Sequence, residues 1–182
     1  MNQAVSPSLD GSPWPSWPAD PSARVVFLVD ARTATERQYI ERWIAQSKPA
    51  DLDGSRVSIL TLSRSDDAKA FSQQLGPFLT DESCVMAPVR VAWLPRELQG
   101  ERLARLSDLL LWRDPRKPRE KLQQRILQTE PERCRVVAAQ SASLGNLNAR
   151  ARAAGEADLG DVESFSGFVQ RQAHLALQRA EY

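Results

Sequence analysis

The segment Val25-Val-Phe-Leu-Val29 constrains the fold more than any other: five apolar residues in a row, β-branched or bulky, with no polar position between them. A strand with one face in water alternates polar and apolar side chains, whereas an unbroken run belongs to a strand covered on both faces. The chain must therefore place helices on both sides of a sheet, and the rest of the sequence is patterned to do so. Val57-Ser-Ile-Leu-Thr-Leu62, Val89 to Leu94 between Pro88 and Pro95, and Arg135-Val-Val-Ala-Ala139 read as further strands.

Helical periodicity fills the intervals. Thr33-Ala-Thr-Glu36 has the spacing of a capping box and opens a helix that buries Tyr39, Ile40, Trp43 and Ile44 and stops near Pro49. Asp66 to Leu75 places Ala68, Phe71 and Leu75 on one face and is ended by Gly76-Pro77. Leu103, Leu106 and Leu110 mark a further helix. Leu122, Ile126 and Leu127 mark another that ends before Pro131, and Ser143 to Ala153 forms a modest one. After a linker from Gly155 to Gly160, the residues Val162, Phe165, Val169, Ala173 and Ala176 recur at three- and four-residue steps with Phe168 alongside, a long C-terminal helix. No Gly, Asn or Pro follows Arg179, so the chain is expected to end within that helix. The pattern predicts an α/β fold, a mostly parallel or mixed sheet of about four strands flanked by helices, with the strand order left open.

Residues 1–23 hold five of the twelve prolines, Pro7, Pro13, Pro15, Pro18 and Pro21, and read as a flexible leader without a core of its own; residues 24–182 read as a single α/β domain. The indoles of Trp14 and Trp17 suit either docking onto the domain or a membrane interface, and docking is the expectation. Twenty-four Lys and Arg against twenty-three Asp and Glu leave a net charge of +1, so no global field draws the chain to nucleic acid, which is not an expected partner. The first residues lack the basic and apolar regions of a secretory signal, and no run is long enough to span a bilayer. The expected location is the cytoplasm. Cys84 and Cys134 lack metal-ligand spacing and are expected as small buried hydrophobes rather than a disulfide.

Chemistry-bearing motifs are scarce. Glycine-rich phosphate loops and a serine nucleophile elbow are absent, with Ser141, Ser143 and Ser166 all outside such a setting. Asp30-Ala-Arg-Thr33 resembles the opening of haloacid dehalogenase-type phosphatases, but Arg32 stands where the second carboxylate belongs. Asp30 is therefore expected to serve the turn after its strand. The only histidine, His174, falls half a helical turn from Phe165, among Glu163, Gln170, Arg171 and Gln178, on what reads as a solvated polar face. Neither metal nor cofactor is implied. One local charge anomaly stands out: Arg113, Arg116, Lys117, Arg119, Lys121 and Arg125 against Asp114 and Glu120, with Pro115 and Pro118 keeping the first half extended. Arg113, Arg116, Lys117, Arg119 and Lys121 are the candidate contacts to an anionic lipid surface, where each basic residue contributes about 1 kcal/mol.

An ordered series of short motifs adds a family reading. Pro88-Val-Arg-Val-Ala-Trp-Leu-Pro-Arg-Glu97, Gly100-Glu-Arg102, Asp108-Leu-Leu110, Asp114-Pro-Arg-Lys-Pro118, Gln124-Arg-Ile-Leu127, Glu130-Pro-Glu-Arg-Cys-Arg-Val-Val137 and Phe165 through Ala180 follow one another over about half the chain. Together they resemble the N-terminal region of actinobacterial PlsB-type glycerol-3-phosphate acyltransferases. The resemblance implies acyl transfer from acyl-CoA or acyl carrier protein to the 1-hydroxyl of glycerol 3-phosphate, in phospholipid synthesis. It also implies a downstream catalytic domain as partner and a peripheral place at the inner face of the cell membrane. The family's His-x4-Asp motif cannot be assembled here, because the fifth residue after His174 is Arg179. No catalytic residue is carried over, and the acyl donor would be met only through the full enzyme. This sequence also departs from the family at Ala139-Gln140-Ser141, where relatives carry Gly-Glu-Pro. The expectation is a non-catalytic portion of such an enzyme; the alternative is a free-standing α/β module that engages anionic lipid or protein through the basic loop.

Overall fold

The computed structural model describes residues 17, 22–62, 68–95, 97–98, 101–102, 116–157 and 160–180. Strand β1, Val25–Asp30, is buried at every position and lies inside the sheet. Val57–Thr61 (β2) and Val85–Trp93 (β3) flank it in parallel, with Val25 opposite both Val57 and Val85. Cys134–Ala138 (β6) pairs antiparallel with the far side of β3, and Ala142–Ser143 (β7) pairs with the start of β3 on that same side. The sheet is thus mixed and five-stranded, one strand more than the sequence pattern foretold. A separate two-stranded ribbon, Glu97–Leu98 (β4) with Glu101–Arg102 (β5), has no counterpart in the pattern.

Successive side chains of β1 point to opposite faces, and each face has its own core. Val25, Phe27 and Val29 pack with Ile40 and Ile44 of helix α1, Ala34–Ser47, and with Ile126 of helix α3, Glu120–Thr129. Val26 and Leu28 pack with Phe71 and Leu75 of α2, Ala68–Leu75, and with helices α4, Leu144–Ala153, and α5, Val162–Ala180. The continuous apolar run therefore does what it implied. Trp17 is half-buried against the first core, its ring edge-on to Phe27 with centroids 5.3 Å apart, as the docking reading expected of it, while Trp14 lies outside the described residues.

Local rules set most boundaries. Thr33 caps α1 by accepting the Glu36 N–H on Oγ1 at 3.2 Å, and Lys48 leaves the helix with ψ 127°, the extended geometry favoured before a proline such as Pro49. Ser143 caps α4 by accepting the Asn146 N–H at 3.2 Å, and Gly155 takes the left-handed φ of 67° that follows a helix end.

Four expectations need correction. Strand β3 begins at Val85 and runs through Pro88 instead of starting after it. Val85 donates its N–H to Arg24 O at 2.9 Å, toward β1, so Pro88, three residues on, turns its nitrogen the other way. On that side Ala138 faces Val89 and Ala142 faces Met86, four steps of chain against three, which is a β-bulge. The missing donor of Pro88 thus meets a gap in the ladder, the setting in which proline is tolerated inside a sheet, and Ala139 leaves the strand there. In α3, Leu122 is 43% exposed while Gln123 is buried. In α5, Val162 is 40% exposed and Leu177, absent from the expected face, is fully buried. Glu36 completes no reciprocal box with Thr33; its carboxylate accepts the N–H of Arg32 instead. The helix expected around Leu103, Leu106 and Leu110 lies outside the described residues, as does Arg113.

Candidate functional site

Because α1 and α2 leave on opposite faces, the ends of β1 and β3 form the point at which doubly wound sheets receive ligands, commonly an anion at the following helix N-terminus. Here that position is filled from within. Asp30, buried and in register with Arg90, has Oδ2 3.8 Å from Arg90 Nη1. Arg90 Nη2 donates to Leu177 O, near the end of α5, at 3.0 Å. On the other face, the buried Glu36 carboxylate accepts three hydrogen bonds: Arg32 N at 2.7 Å on one oxygen, Trp93 Nε1 and Gln123 Nε2 at 2.9 Å each on the other. Gln123 also donates to Pro118 O at 2.9 Å and accepts the Thr33 hydroxyl at 2.5 Å. Glu120 reaches across from α3 to accept Thr35 N and Oγ1 at 3.3 and 3.2 Å. Two protein carboxylates thus meet the partial positive charge of the α1 N-terminus, where a ligand phosphate would otherwise sit.

The same network fixes the basic loop. Pro118 is buried and its carbonyl is held by Gln123, while Arg116, Lys117, Arg119, Lys121 and Arg125 are all exposed. The structure brings four of the five candidate lipid contacts together at the start of α3; Arg113 is outside the described residues. Residues 116–125 carry these five cations against one carboxylate, Glu120. Leu122, next to Lys121 and one helical turn from Arg125, adds an exposed apolar group that the sequence had assigned to the core. The signal for that reversal was Gln123, whose amide is needed inside by Glu36.

The other residues weighed in the sequence make no centre. Among the described residues no hydrogen bond or ion pair involves the imidazole of His174, which is half-buried on α5, and no cluster of His, Cys, Asp and Glu could hold a metal ion. Cys84 and Cys134 are free and buried, as expected. Burial raises the Cys84 thiol to about 11 and the Cys134 thiol to about 12, so both are protonated near neutrality. Burial also raises Tyr39, beside Cys134, to about 12. On the opposite face from the basic loop, a groove of about 700 Å3 lies between α4 and α5. Sequence reasoning passed over it; the available signal was alanine recurring at 149 and 153 and again at 173, 176 and 180.

No family model matches the chain, and no solved structure matches it. No helix among the described residues is long and apolar enough to cross a membrane.

Proposed function

We propose that this chain is the non-catalytic N-terminal portion of a PlsB-type glycerol-3-phosphate acyltransferase, and that its basic loop seats the enzyme on an anionic membrane. Acyl transfer to the 1-hydroxyl of glycerol 3-phosphate then belongs to a downstream catalytic domain, which alone meets the acyl donor. The ordered motif series from Pro88 to Ala180 supports the family. The observation that carries the role is the exposed group Arg116, Lys117, Arg119, Lys121 and Arg125 around Leu122, on a backbone pinned from inside through Pro118. Cations draw the loop to acidic headgroups, and a leucine among them can enter the headgroup layer. The cytoplasm, at the inner face of the cell membrane, is the corresponding location.

The non-catalytic part of the reading rests on the missing His-x4-Asp motif, Arg179 standing five residues after the only histidine, His174, and the switch point at the ends of β1 and β3 supports it. General-base chemistry on a hydroxyl needs a positioned base, and the buried carboxylates there are engaged by Arg90, Trp93, Gln123 and backbone amides. Incubating the purified chain with labelled glycerol 3-phosphate and acyl-CoA should give no turnover. Turnover that disappears on His174→Ala would overturn the proposal.

A further inference from the structure

The two edges of the main sheet are not guarded alike. At one edge, β6 carries the exposed Arg135 and ends in the bulge opposite Pro88, two of the devices that keep an edge from pairing with another chain. At the other edge, β2 reads Val57-Ser-Ile-Leu-Thr61, with no charge, no proline and no bulge. Only Leu60 is buried there; Val57, Ser58, Ile59 and Thr61 are half-buried. Such an edge is a template for a further strand.

The ladder decides which backbone groups face outward. Leu62 donates its N–H to Val29 O at 2.9 Å, and backbone directions alternate along a strand, so Ser58 and Leu60 bond inward to β1. Ile59 and Thr61 turn both N–H and C=O outward, where no described residue meets them. Val57 turns its C=O the same way, while its N–H closes the preceding turn on Gly54 O. This pattern is symmetric about Ile59. A two-fold axis there sets Ile59 opposite Ile59 of a second copy, the two exchanging both hydrogen bonds, and each Thr61 N–H opposite the other copy's Val57 C=O. β-Branched side chains then stand side by side on the α1 face, Ile59 with Ile59 and Val57 with Thr61, the cross-strand pairs that stabilise sheets. Charge fits as well. Asp53 and Arg56 are exposed before the start of β2; at its end Arg37 donates to Thr61 Oγ1 at 3.1 Å and pairs with Glu41 at 2.8 Å. The axis brings the start of one β2 beside the end of the other, so each sign meets its opposite. An unrelated peptide would share the backbone bonds without these pairs.

We infer that β2 pairs antiparallel with β2 of a second copy, joining two five-stranded sheets into one continuous sheet. The seam lies at the opposite edge from β6 and uses no residue of the basic loop, so it holds or fails independently of membrane seating.

Sedimentation velocity of the full chain over a dilution series reads the monomer–dimer equilibrium. Thr61→Pro removes an outward N–H and takes nothing from the ladder with β1, so it should weaken the dimer at least about tenfold by deleting one seam hydrogen bond from each copy. Cysteine variants test the register even if that proline disturbs the fold. Hydrogen-bonded antiparallel partners have Cα atoms about 5.5 Å apart, within the span of a disulfide, so mild oxidation of Ile59→Cys should give a covalent dimer. Ser58→Cys should not cross-link, because Ser58 faces Leu60 of the second copy and its own counterpart is a diagonal neighbour about 7–8 Å away. The native chain, whose Cys84 and Cys134 are buried, should stay uncross-linked. A chain that is monomeric up to about 1 mM, unchanged dimer affinity in folded Thr61→Pro, or equal cross-linking of the two cysteine variants would overturn the inference.

Discussion

Glu36 shows how one buried carboxylate can organise three parts of the chain. It holds the turn after β1 through Arg32 N, the end of β3 through Trp93, and the start of α3 through Gln123. Glu36→Ala leaves buried donors without acceptors and should cost about 3 kcal/mol in urea unfolding. Glu36→Gln should recover part of that loss, because its oxygen can still serve Trp93 and Gln123 while its amide faces the Arg32 N–H donor to donor. A silent Glu36→Ala would mean that the network contributes nothing. The capping residue Thr33 was legible in the sequence; the destination of the Glu36 carboxylate was not, because Trp93 and Gln123 are 57 and 87 residues away. The thiols allow a second test at this scale. Cys84 and Cys134 rise from 9.0 to about 11 and about 12, so the folded state favours the protonated forms. That contribution is complete below pH 9 and is lost as pH climbs through the folded values, since the unfolded chain ionises first. Unfolding free energy should fall between pH 9 and 11, and less steeply in the double variant Cys84→Ala, Cys134→Ala. Equal slopes in the two proteins would contradict this.

Among the elements, β1 was fully legible because a run without polar positions leaves one arrangement, cover on both sides. The early start of β3 was not, since Pro88 ordinarily bars a central strand and is admitted here only by a bulge on a partner 50 residues later. Helix α3 was placed well, yet its inward face was misread: apolar spacing chose Leu122, whereas the buried polar network claimed Gln123. The leader was expected to lack a core, and Trp17 shows how it can use the core of the domain. Trp17→Ala should lower stability by about 1 kcal/mol through loss of the edge-on contact with Phe27, and the melting temperature by about 3 °C. A chain beginning at Ser22 should fold and show the same small loss. Unfolding of either variant at room temperature would make Trp17 an essential core residue.

For the whole molecule, the α/β class and its helices on both faces follow from hydrophobic patterning, while strand order depends on which neighbour each edge finds and is set only in three dimensions. The candidate site divides in the same way. The basic loop could be read as a run of charge; the groove could not, because it is made of small residues brought together from two helices. A net charge of +1 gives the molecule no general attraction to acidic surfaces, so the proposed membrane seating rests on the loop alone. Co-sedimentation with vesicles of rising acidic-lipid content, at low and high salt, tests this most directly. The native chain should bind weakly, more with acidic lipid and less with salt, and the triple variant Arg116→Ser, Lys117→Ser, Arg119→Ser should lose binding while keeping the fold. Equal sedimentation of the two proteins under all conditions would contradict the account.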